Sequence, residues 1–302
     1  DFNTLNLNGG STTNAYGGYT TGTTASAADL ESDPSATADA KNNIVNINGG
    51  TLNASGKLYG GYIATNTVLS ATSSGNASGN IINIENGTFG GATEIYGGYT
   101  NGTGKATGNT VNIGKNDGTF NAPTLSNAVI YGGASSGSAS DVVTGNTLNV
   151  NTNASARNIA NFDKVSFNFN SNFNQTQPML NITGGAVTNL DWGSISYTGT
   201  VPSGHSILMQ NMSNISLAHY NEPKVVSLTD THETAISTNL GTGTAQQIVL
   251  DGYQFKGATP TPAMSAPTED TWAGRSVLGN TTTGNTLTIN GTNHRDAYGG
   301  WT

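Results

Sequence analysis

Gly108-Asn109-Thr110-Val111-Asn112-Ile113, then Gly118-Thr119-Phe120, then Ile130-Tyr131-Gly132-Gly133: this succession of short boxes decides the fold. Within the first box Val111 and Ile113 fall on one face and Thr110 and Asn112 on the other, the two-residue period of a half-buried strand. Gly-Thr-Phe reads as a second short strand after a turn. Tyr-Gly-Gly begins a third, its glycine pair expected to form a bend or bulge where a side chain would clash. No part of the succession has the period of a helix.

Outward from this stretch the boxes recur. The Tyr-Gly-Gly box returns as Tyr16-Gly17-Gly18, Tyr59-Gly60-Gly61, Tyr96-Gly97-Gly98 and, far downstream, Tyr298-Gly299-Gly300. The strand box returns as Asn3 to Leu7, Asn43 to Ile47, Asn80 to Ile84, Asn146 to Val150 and Asn285 to Ile289. Up to residue 150 the intervals run from 29 to 43 residues, within the range of stacked repeats. Three short strands per unit, joined by polar loops, describe one coil of a parallel β-helix. Such a unit cannot bury its apolar residues alone, but each can cover the next at about 4.8 Å.

This register implies two ladders. Asn80, Asn109, Asn146 and Asn285 each follow a glycine at the start of the first strand. Asparagines at one corner of successive coils are expected to stack amide on amide and satisfy backbone groups at the turn. Tyr16, Tyr59, Tyr96 and Tyr131 are expected to stack in a column. The first role of both ladders is to stabilise the coil; an aromatic strip that binds sugars is the functional alternative for the tyrosines.

Composition agrees with a thin shared core. Charged residues are only 9% of the chain and glycines number 41, while the net charge of −8 is too weak to drive disorder over 302 residues. There is no cysteine, which fits export across a bacterial envelope and excludes thiol chemistry. The ten Lys and Arg are spread thinly, so no basic stripe suits nucleic acid. No apolar run is long enough to span a bilayer as a helix, so no membrane insertion is expected of this segment. Asp1-Phe2-Asn3 does not read as a signal peptide but already lies in a strand-like pattern, as in a fragment of a longer chain.

The chain is read as a single elongated domain, 1–302. Regular repeats occupy 1–150, with a loop excursion at 20–40 that carries Asp29, Glu31, Asp33 and Asp39. That acidic loop reads as solvated, since it has neither the EF-hand spacing nor the calcium-binding nonapeptide. From 151 to 283 the boxes fade into irregular coils and loops, with strand-like runs at Val165–Phe169, Met179–Ile182, Ser206–Met209, Lys224–Leu228 and Gln247–Leu250. Thr259 to Thr268 is proline-rich and reads as an exposed loop. The repeats resume at 284–302.

Because β-helices also carry lyases and glycosidases, catalytic groups need weighing. Glu85, Glu94, Asp117 and Asp141 fall at different repeat positions and form no evident carboxylate pair. His219, Glu222, Asp230, His232 and Glu233 form the densest ionisable group. A polar loop or edge is the plain reading of it, and a metal or acid–base site the alternative. No catalytic, cofactor or metal site is assigned, and no cofactor is expected.

The paired boxes Gly108 to Ile113, Gly118 to Phe120 and Ile130 to Gly133 resemble the passenger-domain repeats of large Gram-negative autotransporter (type V secreted) adhesins. Asn158-Ile159-Ala160-Asn161-Phe162-Asp163 is similar to a segment that follows such repeats. The resemblance covers most of 1–170 and 284–302. It implies an all-β, right-handed parallel β-helix (β-solenoid) with extruded loops, displayed at the outer membrane through a barrel outside this chain, and often adhesive. The expected partners are a host or bacterial surface glycan or protein, or a second copy through self-association. A carbohydrate-active β-helix enzyme and a purely structural stalk are the competing readings.

Overall fold

The computed structural model describes residues 2–20, 39–64, 74–117, 119, 123–202, 205–213, 215–219, 224–227, 232–238, 244–255, 271–272 and 297–298. Most of the excursion at 20–40, the proline-rich stretch and the strand box at Asn285 lie outside them.

The chain is an all-β parallel solenoid. The first coil holds β1 (Thr4–Leu7) and β2 (Ser11–Thr20), the second β3 (Ile44–Ile47) and β4 (Thr51–Ile63). The third holds β5 (Ile81–Ile84), β6 (Thr88–Phe89) and β7 (Glu94–Thr100), the fourth β8 (Thr110–Ile113) and β9 (Val129–Ser135). β10 (Thr147–Val150), β11 (Ala154–Ala156) and β12 (Asn158–Ala160) make the fifth. β13 (Lys164–Phe169), β14 (Leu180–Ile182) and β15 (Val187–Thr188) make the sixth, and β16 (Ile195–Gly199) with β17 (Ser206–Gln210) opens the seventh.

One sheet stacks β1-β3-β5-β8-β10-β13-β16 and a second stacks β2-β4-β7-β9-β12-β15, parallel throughout. The expected three strands per coil are fused into two in the first two coils: β4 runs through both the Gly-Thr and Tyr-Gly-Gly boxes, and β2 runs from Ser11-Thr12, opposite Thr51-Leu52, through its Tyr-Gly-Gly box. A separate third sheet begins only at β11.

The alternation in the strand box sets the register. Val45, Ile82, Val111, Leu148 and Val165 lie opposite one another in turn, as do Ile47, Ile84, Ile113, Val150 and Phe167. All are buried. A one-residue slip would turn both rows to solvent, so the register is tightly specified. Leu58, Ile95, Ile130 and Ile159 close the core from the second sheet.

The end of the stack departs from coil geometry. β18 (Ile215–Ser216) is followed by β19 (Lys224–Ser227), β20 (His232–Thr238), β21 (Thr244–Ala245) and β22 (Ile248–Phe255). The third sheet runs β11-β14-β17-β22-β20-β19, parallel as far as β17 and antiparallel beyond it. The runs at Lys224 and Gln247 are therefore strands of a meander, not the irregular coils expected there. Short loops can join antiparallel strands, whereas each parallel strand needs a full coil of chain to return. One apolar cluster runs from Ala15 through the coils to Ile236, Ile248 and Leu250, so the meander shares the solenoid's core. β23 (Thr271–Trp272) and β24 (Ala297–Tyr298), the latter in the last Tyr-Gly-Gly box, pair parallel.

Candidate functional site

The repeat concentrates its distinctive chemistry at one corner, where the Asn that opens the first strand meets the Gly pair of the preceding coil. The residue before each ladder Asn has a left-handed backbone: Gly79 (φ 67°), Gly108 (φ 67°), Gly145 (φ 71°) and, before Asn43, Asn42 (φ 57°). Glycine and asparagine tolerate that conformation best, which explains the Gly-Asn dipeptide.

At the corner Asn43, Asn80, Asn109 and Asn146 are fully buried. Asn43 donates its amide to Asn80 Oδ1 at 2.8 Å, Asn80 to Asn109 Oδ1 at 2.9 Å, and Asn109 to Asn146 Oδ1 at 3.2 Å. The same oxygens accept the backbone N–H of the preceding rung at 2.9 to 3.1 Å. The second amide hydrogen reaches backward, from Asn80 to Ala40 O and from Asn109 to Ala77 O. Each buried amide thus satisfies two coils at once.

This ladder explains the glycine pair. None of Gly60, Gly61, Gly97 or Gly98 has a left-handed φ, and all lie inside continuous strands. What forbids a side chain is proximity. A Cβ on Gly97 would lie 2.4 Å from Gly132 O and 2.8 Å from Asn109 Cβ, and one on Gly98 would lie 2.3 Å from Ala77 O and 2.7 Å from Asn109 Nδ2. The expected clash is thus with the asparagine of the next coil, which the glycine pair seats as a notch.

The pair also shifts strand parity. Tyr59 and Tyr62, three residues apart, would face opposite ways in a regular strand, yet their rings touch at 4.7 Å. Two tyrosine columns result. Tyr16, Tyr59, Tyr96 and Tyr131 stack at 5.0, 5.1 and 4.9 Å, tilted by only 8 to 11°. Tyr19, Tyr62 and Tyr99 form a second column at 5.3 and 5.4 Å. The second column is not among the ladders expected above, although Tyr-Gly-Gly-Tyr in three successive boxes carries its signal.

Stacking occupies the ring faces. Tyr59 and Tyr96 are 5% exposed, and only Tyr16 (37%) and Tyr19 (59%), on the outermost coil, present substantial ring surface. A sugar stacked on this strip would need a free ring face, and the interior of the strip offers edges. Burial pushes the Tyr59, Tyr62, Tyr96 and Tyr131 hydroxyls above their ordinary range, and Glu94 beside Tyr96 adds to the effect there.

A third ladder, also missed from sequence, covers the outside of the first sheet. Asn46 donates to Asn6, Asn83 to Asn46, Asn112 to Asn83 and Asn149 to Asn112, at 2.7 to 2.8 Å. Its polarity is opposite to that of the buried ladder. The second Asn of each Asn-x-x-Asn box carries the signal, but alternation alone marks it only as the polar side of the strand.

Among the described residues, Glu85, Glu94, Asp117, Asp141 and Asp39 bond to neighbours in the coils. Glu85 pairs with Lys115 at 2.8 Å and Glu94 with Lys57 at 2.9 Å, each across adjacent coils. Asp117 accepts from the Thr119 hydroxyl and N–H, which hold its carboxyl below the usual range. For Asp141 burial pulls upward, but the Thr144 and Val143 donors outweigh it and its carboxyl also sits low. In the excursion at 20–40, Asp39 pairs with Lys41 and accepts from Asn76 N at 2.6 Å.

His219 lies on the exposed surface with Nδ1 2.5 Å from Asp191 Oδ2, a partner absent from the group read in the sequence. His232 and Glu233 occupy β20, with Glu233 opposite Gln254 and Ser227. Glu222 and Asp230 lie outside the described residues, as does Asn285. Among the described residues no cluster of three or more His, Asp or Glu side chains is positioned to hold a metal. Comparison with family models, with curated proteins and with solved structures finds no match to this chain.

Proposed function

We propose that this chain is a passenger segment of a Gram-negative autotransporter, displayed at the bacterial cell surface as a stiff rod that contacts host or bacterial cells. The observation that carries the reading is the cross-coil bonding. Every buried Asn, Tyr column and outer Asn row links one coil to the next. A fold made of nearest-neighbour contacts can assemble coil by coil on the coil already formed. That property suits a chain that emerges gradually through an outer-membrane barrel. The absence of cysteine suits the same route.

In this role the solenoid is the support, and contact surfaces lie where its regularity stops. Labelled protein should bind epithelial or bacterial cells saturably in flow cytometry, and unlabelled protein should compete. Absence of saturable binding to either would overturn the adhesive role. Concentration-dependent association in sedimentation velocity, with no cell binding, would replace it with that of a self-associating stalk.

A further inference from the structure

We infer that the cleft over the third sheet is a binding site for an uncharged glycan; the inference rests on the contact role proposed above and names its ligand class. The cleft, about 640 Å³, runs from the coil of the fourth Tyr-Gly-Gly box onto the third sheet. Its floor is a row on successive parallel strands, Ser155 on β11, Asn181 on β14 and Gln210 on β17, in direct register. Two inter-strand steps make that row about 10 Å long. Asn172, Asn174 and Gln177 form one rim, and Pro123 to Ser126 the other.

Its chemistry is unusual for this size. Among the described residues that line it, none is ionisable and none is aromatic. Several amides are already spent on shape. Asn153 donates to the carbonyls of Asn174, Gln177 and Pro178 and accepts from Asn174 N, fixing the loop that forms the rim. Asn181 Oδ1 accepts from Gln210 at 3.3 Å and Asn211 at 2.5 Å, which leaves the Asn181 amide hydrogens and Gln210 Oε1 for another partner.

An anion or cation would find no counter-charge here. An apolar ligand would strip water from the amides without replacing their hydrogen bonds. A polyhydroxylated ligand answers both requirements, because each hydroxyl donates and accepts, as each amide does. An extended peptide is disfavoured: β11 has three residues, too few to template strand addition, and the prolines at both rims supply no N–H.

The test uses the whole 302-residue chain and calorimetric titration with maltohexaose, cellohexaose and laminarihexaose, with a heparin hexasaccharide as the charged control. At least one neutral hexasaccharide should bind, with affinity unchanged from about 0.05 to about 0.5 M NaCl. Ser155→Trp, which fills the cleft from the solvent-facing side of β11, should weaken it at least about tenfold. Gln177→Ala, on the rim and free of the core, should weaken it less. Absence of neutral-sugar binding, binding indifferent to both substitutions, or salt-sensitive binding of heparin alone would overturn the inference. Peptide-library binding blocked by Ser155→Trp would assign the cleft to a peptide instead. Cell adhesion without any neutral-sugar binding sinks the cleft inference alone; sugar binding without any cell adhesion sinks the contact role alone.

Discussion

Up to Val150 each coil closes over a buried asparagine, whereas beyond it the corner closes over an aromatic ring. The change happens at Asn161, Phe162 and Asp163. Phe162 is buried, and its ring comes within 2.9 Å of where a Cβ on Gly132 would lie. Asp163 takes the next place after Asn146 and accepts the Gly145 N–H at 2.8 Å, ending the ladder with a carboxylate. Tyr131 then faces Ala160, so the tyrosine column stops at the same step. From there Phe167, Phe169, Met179 and Trp192 fill the interior. A thin solenoid thus has two ways to close a corner: a directional chain of amides seated in glycine notches, or the bulk of a packed ring. The first repeats faithfully because every part constrains the next; the second tolerates variation, and there the third sheet, the cleft and the meander arise.

This contrast breaks most sharply under truncation. Phe167→Ala in the aromatic half should cost about 3–5 kcal/mol, the usual range for emptying a packed ring site. Asn109→Ala strands the buried Asn80 N–H and the Ala77 carbonyl and should cost about 2–4 kcal/mol. Denaturant titration should show both. A loss of less than about 0.5 kcal/mol for Asn109→Ala would mean the amide ladder is ornamental.

The notch itself is tested by a smaller change. Gly97→Ala forces a methyl against Gly132 O and Asn109 Cβ and should cost about 1–3 kcal/mol. Gly91→Ala, where nothing lies within 4 Å, should change stability by less than about 0.5 kcal/mol. Equal effects at the two sites would remove the steric account of the Tyr-Gly-Gly box.

Alkali should act mainly on the tyrosine columns, although burial raises Tyr197 beyond them as well. The raised folded-state values of Tyr59, Tyr62, Tyr96 and Tyr131 mean that the folded coils hold these protons more tightly than the unfolded chain does. Their contribution is fully present below the ordinary tyrosine value of 10.0 and is lost as pH rises beyond it. Stability should stay level up to about pH 10 on this account and then fall. Replacing Tyr59 and Tyr96 with Phe should flatten that fall, as followed by circular dichroism.

The smallest effect belongs to the surface. Lys57 and Glu94 bridge two coils, but both side chains are partly solvated. Lys57→Ala should cost no more than about 1 kcal/mol, and the difference should vanish in high salt. A larger, salt-resistant loss would make ion pairs, rather than amides, the link between coils.

The strand boxes were legible from the chain alone because alternation of Val111 and Ile113 with Thr110 and Asn112 leaves one buried face. Repetition of Asn and Tyr at constant places in that register made their stacking readable too, since identical residues on parallel coils must meet. What the glycines do was not legible. A glycine in a strand reads equally as bend or close approach, and only the position of Asn109 against Gly97 and Gly98 distinguishes them. The outer asparagine row was hidden for a related reason, because a polar residue on an outward face has no sequence mark that separates solvent from a neighbouring amide. The antiparallel turn after β17 was hidden as well: strand patterns carry period but not direction, and direction is decided by how much chain remains to come back around. Local alternation and repeat register thus determined the coil, and contacts between residues roughly one coil apart decided its corner, its cleft and where it stops being a coil.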